Sequence, residues 1–85
     1  MKKLVTFAEY RVSPQNREQY LKRMASAKSE YPGMTLLESG DAPGLFVEVW
    51  RGAAKEALWR DIEPWIEGGR EKMKVWRFFE VFDGQ

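Results

Sequence analysis

The chain has 85 residues, 44% hydrophobic, 32% charged and 14% aromatic, with seven Gly and four Pro, a composition that folds around a core and does not stay disordered. Fourteen basic and thirteen acidic side chains leave a formal charge of +1, too little to attract phosphates generally, so no nucleic-acid partner is expected. The absence of Cys and His removes disulfides, thiolate nucleophiles, histidine triads, the usual zinc sites and a His-ligated haem.

The length suits one domain, residues 1–85, expected to hide roughly 60–65% of the unfolded chain's surface, a small core that a second subunit would enlarge. Met1-Lys2-Lys3 begins like a signal peptide, but the apolar run from Leu4 meets Glu9 after five residues, too short for the hydrophobic region of a leader. The longest uncharged stretch, Tyr31 to Leu37, is far from the roughly 20 residues that cross a bilayer. A soluble, cytoplasmic protein with no membrane partner is expected.

Leu4 to Val12 reads as a strand with Leu4, Thr6, Ala8, Tyr10 and Val12 on one face and Val5, Phe7, Glu9 and Arg11 on the other. Both faces carry apolar groups, which suits a sheet covered on both sides. Ser13-Pro14 predicts a helix start, with the Ser13 oxygen capping free N–H groups and Pro14 in the first turn. Tyr20, Leu21, Met24, Ala27 and Tyr31 then share a helical stripe that Pro32-Gly33 ends. Thr35 to Ser39 and Leu45 to Arg51 are strand-like runs joined by Gly40-Asp41-Ala42-Pro43-Gly44, a hairpin-length turn. A second helix is expected after Gly52, with Ala54, Ala57, Leu58, Ile62 and Trp65 on one face and a kink or break at Pro64. Lys74 to Phe82 alternates as a last strand.

The order βαββαβ predicts a ferredoxin-like α+β fold, a four-stranded antiparallel sheet with two helices on one face. Left wet, the other face would exceed the apolar area a monomer usually exposes, so homodimerisation through the sheet is expected.

Tyr31-Pro32-Gly33-Met34 and the run Leu45-Phe46-Val47-Glu48-Val49-Trp50-Arg51-Gly52, with Glu-x-Trp at a strand end, together with the element order, resemble the dimeric α+β barrel superfamily in the branch named after antibiotic-biosynthesis monooxygenases. The resemblance covers most of the chain. It implies a homodimer whose two sheets form a barrel, with a pocket in each subunit between sheet and helices. Enzymes of that family oxidise small aromatic or polyketide substrates without a bound cofactor, and a related group degrades haem. Many members carry a His on the second helix, where this chain reads Ala57-Leu58-Trp59-Arg60-Asp61, and the haem-degrading ones an Asn on the first strand, where it reads Phe7-Ala8-Glu9. Haem degradation is therefore disfavoured, and no cofactor is expected. Proton abstraction from a phenol-like substrate would fall to a carboxylate or a tyrosine.

Glu9, Glu48 and Glu80 lie within strand patterns beside large aromatics, where a carboxyl could serve as a base; the plainer reading pairs them with Arg11, Arg51 or Arg77. Glu48 is the first choice because Trp50 shares its face. Tyr10, Trp50, Trp59 and Trp76 could line an aromatic pocket or simply pack the core and interface. Trp59 lies beside the Leu58–Ile62 stripe, as a pocket wall or a partly exposed residue. Gly68-Gly69-Arg70 reads as a linker without a phosphate-loop pattern, and Gly44-Leu45-Phe46-Val47 is only loosely like the base-stacking strand of RNA-binding domains. Scattered carboxylates without His or Cys define no metal site.

The leading expectation is a homodimeric α+β barrel that binds a small, largely apolar or aromatic molecule, with cofactor-free oxidation as the implied reaction. Glu48 would be the base or hydrogen-bond acceptor, Tyr10 a donor to a ring oxygen, and Trp50, Trp59 and Trp76 the walls. The alternative is a non-catalytic dimer whose interior only packs. An open cavity of some 300 Å³ or more would separate them.

Overall fold

The computed structural model describes residues 2–82. Four strands, β1 (Leu4–Arg11), β2 (Met34–Glu38), β3 (Leu45–Arg51) and β4 (Lys74–Phe79), form one sheet in the order β2-β3-β1-β4, all neighbours antiparallel. Helix α1 (Arg17–Glu30) joins β1 to β2 and α2 (Glu56–Ile62) follows β3, which is the expected ferredoxin-like arrangement. Three short 3₁₀ turns, Pro14–Asn16, Glu63–Trp65 and Arg70–Lys72, link the main elements.

Register decides which half of each strand meets the helices, because successive side chains alternate. Pairing Ala8 with Glu48 and Val75, Tyr10 with Phe46, and Trp50 with Thr6 and Met34 places these residues on one face. Tyr20, Met24 and Ala27 of α1 and Leu58, Trp59 and Ile62 of α2 close over that face to make the core. The α1 stripe is as expected, with Leu21 and Tyr31 half-buried at its margins. Val5, Phe7, Val47, Val49, Leu37, Trp76 and Phe78 occupy the opposite, uncovered face, and the last two are 41% and 55% exposed.

Local details differ from the sequence expectations. Ser13 precedes a 3₁₀ turn, and its side chain caps no backbone N–H; its Oγ accepts from Asn16 Nδ2 at 3.1 Å. Pro14 still opens that turn, and α1 begins only at Arg17. Val12 continues β1 only as an isolated bridge to Ile66. The second helix starts at Glu56, four residues after Gly52, so Ala54 lies before it and Ala57 is exposed. Pro64 produces the break: the α-helix ends at Ile62 and the chain tightens into a 3₁₀ turn. β4 ends at Phe79, three residues short of the alternating pattern, and the Glu80 N–H just past it still donates to Lys3 O at 2.9 Å.

Candidate functional site

Glu48 sits in mid-β3 on the helix-facing side and has no accessible surface. Its neighbour across the ladder is Ala8, and this small residue leaves room above the sheet for larger side chains reaching in from the diagonal and from α2. Trp50, two residues along β3, donates its indole N–H to Glu48 Oε1 at 2.7 Å, and Trp59 from α2 donates to the same oxygen at 2.8 Å. The Tyr10 hydroxyl donates to Oε2 at 2.5 Å and lies 2.7 Å from the hydroxyl of Tyr20 on α1. Three elements, β1, β3 and α2, thus meet at one carboxyl group, and α1 joins through the Tyr20 hydroxyl on Tyr10.

Electrostatically the cluster is unusual. No Arg or Lys of the described residues pairs with Glu48; the ion pairs are Arg17–Glu38, Arg23–Glu30, Arg23–Asp61 and Arg51–Glu80. A buried carboxyl group is costly unless hydrogen-bonded, and here neutral donors meet both of its oxygens. Indoles donate only, so Oε1 is held by two groups that can never accept a proton from it. Burial pushes the Tyr10 hydroxyl far above its usual range, with the Glu48 charge adding to the effect, and burial raises Tyr20 as well. Both phenols therefore stay protonated. The Arg70 guanidinium lies over the Trp59 ring, 4.9 Å from its centroid, and closes the outer side.

Tyr10, Glu48, Trp50 and Trp59 are therefore brought together. Trp76 is not: β4 turns it to the uncovered face, away from the cluster. Trp59 is 2% exposed, central to the core and not at its edge. Glu80 follows the plainer reading, paired with Arg51 at 3.4 Å, and Glu9 lies on the outer face opposite Val47 and Lys74. From the sequence, Tyr20 is a member of the helix stripe and nothing more. The signal for its role was available, since a tyrosine buried at the centre of such a stripe must find a partner for its hydroxyl.

The space between sheet and helices is filled by these side chains: Tyr10 and Trp59 are 2% exposed, and Tyr20 and Glu48 not at all. A cleft of about 310 Å³ lies at the end of β1 between Glu9, Arg11, Leu45, Glu67 and Lys72, and it comes up against Tyr10. Among the described residues no group of three or more His, Cys, Asp or Glu is placed to hold a metal ion, and no helix is long and apolar enough to cross a membrane.

The layered sheet and paired helices define an α+β protein of ferredoxin-like type. A solved structure from Nitrosomonas europaea, described as a "putative antibiotic biosynthesis monooxygenase", shares this fold with a TM-score of 0.66 and 18% identity, over 93% of this chain and 99% of that one. The ferredoxin-like fold implied by the resemblance is thus found, whereas the pocket it implies is not open around Glu48, where Tyr10, Tyr20 and Trp59 fill the space. No family model matches the sequence, and neither does any curated protein.

Proposed function

We propose that the chain is a homodimer joined through the uncovered sheet face, and that the Glu48 cluster is where it holds a small, largely apolar or aromatic molecule. The observation that carries this reading is a carboxyl group with no accessible surface, held by three neutral donors and no cation. A phenolic O–H has the same chemistry as the Tyr10 hydroxyl and can take its place on Oε2, after which Glu48 is the base that removes its proton. Oxidation of the resulting phenolate by molecular oxygen, in keeping with the monooxygenase that the structural neighbour is described as, would begin there. To reach Glu48 a ligand must displace side chains. The cleft lined by Tyr10 together with Glu67 and Lys72 is the proposed approach.

A second reading is the one the cavity criterion favours, because the space around Glu48 is filled by side chains. The burial of the whole cluster is what a packed core shows, and in that case Glu48 is a structural acceptor and the protein a non-catalytic dimer.

Calorimetric titration with 1-naphthol, together with oxygen uptake, separates the two. Saturable binding that weakens at least about tenfold in Glu48→Gln, the loss of one charge-assisted hydrogen bond, supports the first reading. A dimer that binds no naphthol at any soluble concentration leaves the second.

A further inference from the structure

We infer that Tyr20 is a positioning residue for this site: its hydroxyl donates to Tyr10 and so fixes the single Tyr10 proton on Glu48 Oε2. The inference rests on reading the Glu48 cluster as the site, and it follows from counting protons. Tyr10 has one hydroxyl hydrogen and two oxygen neighbours, Glu48 Oε2 at 2.5 Å and the Tyr20 oxygen at 2.7 Å. The bond at Oε2 runs from the Tyr10 hydroxyl to Glu48, so the Tyr10 hydrogen is used there, and the hydrogen between the two phenols must come from Tyr20. The chain therefore runs in one direction, from Tyr20 through Tyr10 to Glu48.

The other side of the carboxyl enforces the same order. Trp50 and Trp59 both occupy Oε1 as donors, which leaves Oε2 as the oxygen open to exchange with Tyr10 or with an incoming hydroxyl. Tyr20 is placed for the task by α1, its ring edge-on to Tyr10 with centroids 5.9 Å apart and an interplanar angle of 82°, and tilted against Phe46 at 4.7 Å. The burial that keeps both phenols protonated keeps both donors in service. A hydrogen bond received by the Tyr10 oxygen polarises its own O–H and strengthens the bond it gives. Without Tyr20, the Tyr10 hydroxyl keeps its acceptor but loses that polarisation and its fixed rotor angle.

The measurement is proton NMR of the free protein, which needs no ligand, so the relay stands or falls apart from whether naphthol binds. Two slowly exchanging hydroxyl resonances are expected downfield, the farther one from Tyr10, and Tyr10→Phe identifies it by removing it. Tyr20→Phe keeps the ring and its packing; it should remove the second resonance and move the Tyr10 signal upfield. Tyr31→Phe, whose ring packs on Trp50 outside the chain of hydroxyls, should move neither. In unsubstituted protein at half deuteration, a deuteron on Tyr20 should split or shift the Tyr10 line, which tests the coupling even if a variant folds poorly. A Tyr10 resonance unmoved by both Tyr20→Phe and deuteration would overturn the inference, because Tyr20 would then serve packing alone.

Discussion

Glu48 carries two kinds of demand, and substitutions can separate them. Glutamine keeps an oxygen for the two indoles but turns an N–H₂ group toward Tyr10, whose hydroxyl must then reverse. Leucine strands the donors of Tyr10, Trp50 and Trp59 in the core. Urea unfolding should show Glu48→Gln costing about 1–2 kcal/mol and Glu48→Leu about 3–5 kcal/mol, since each buried unmet donor costs about 1–3 kcal/mol. Smaller loss in the leucine variant would mean that the polar cluster is dispensable for folding. At the surface, Glu38 accepts a two-point contact from Arg17 and a backbone bond from Gly44, and Arg17 foremost holds its carboxyl down from 4.5 to about 2. A lowered carboxyl pKa stabilises the fold above its unfolded value, and this stability is lost as pH falls toward the folded one. Thermal melts between pH 5 and 2 should therefore decline less steeply in Glu38→Gln, and the difference should shrink in high salt because the pair is exposed. Much of this was readable from sequence. Glu48 and Trp50 on one face of a strand follow from their spacing, whereas the convergence of Trp59 and Tyr20 depends on how two helices rotate over the sheet, which no spacing within one element reveals.

Helices and strands show the same division between local chemistry and tertiary context. β3 lies where its alternation puts it, and Pro64 ends α2 because a proline lacks an N–H and crowds the carbonyl four residues back. The start of α2 was less legible: Gly52 has φ 109° and its N–H donates to Leu4 O, so it belongs to the strand end that β1 holds, and the helix waits until Glu56. The β2–β3 hairpin turns on Gly44, at φ 91°, where an added Cβ would lie 3.1 Å from the Val12 carbonyl oxygen. That oxygen is backbone and cannot step aside. Gly44→Ala should cost about 1–2 kcal/mol, read as a lowered melting temperature. An unchanged melt would show that the hairpin can adopt another turn.

For the molecule as a whole, the uncovered sheet face is the property with the widest reach. Phe7 and Phe78 already pair edge to face there, 5.5 Å apart, and Leu37 is 52% exposed. Patches of this kind on small proteins mark association. Light scattering should give a dimer for the native chain, and Val49→Lys combined with Phe78→Glu should give a monomer with its helical circular dichroism retained; a native monomer at micromolar concentration would refute the interface. The strand order has a different consequence, in time. The β2–β3 pairing is a local hairpin, whereas β1 must find Arg51 for its Val5 on one side and Phe78 on the other. Contacts so distant along the chain make folding slow for its size. During synthesis β1 leaves the ribosome first yet occupies an inner position in the sheet, so it waits with an open edge until the last strand emerges. A growing chain halted before β4 would expose that edge to the strands of its neighbours, and this interval is when the protein has most need of a chaperone.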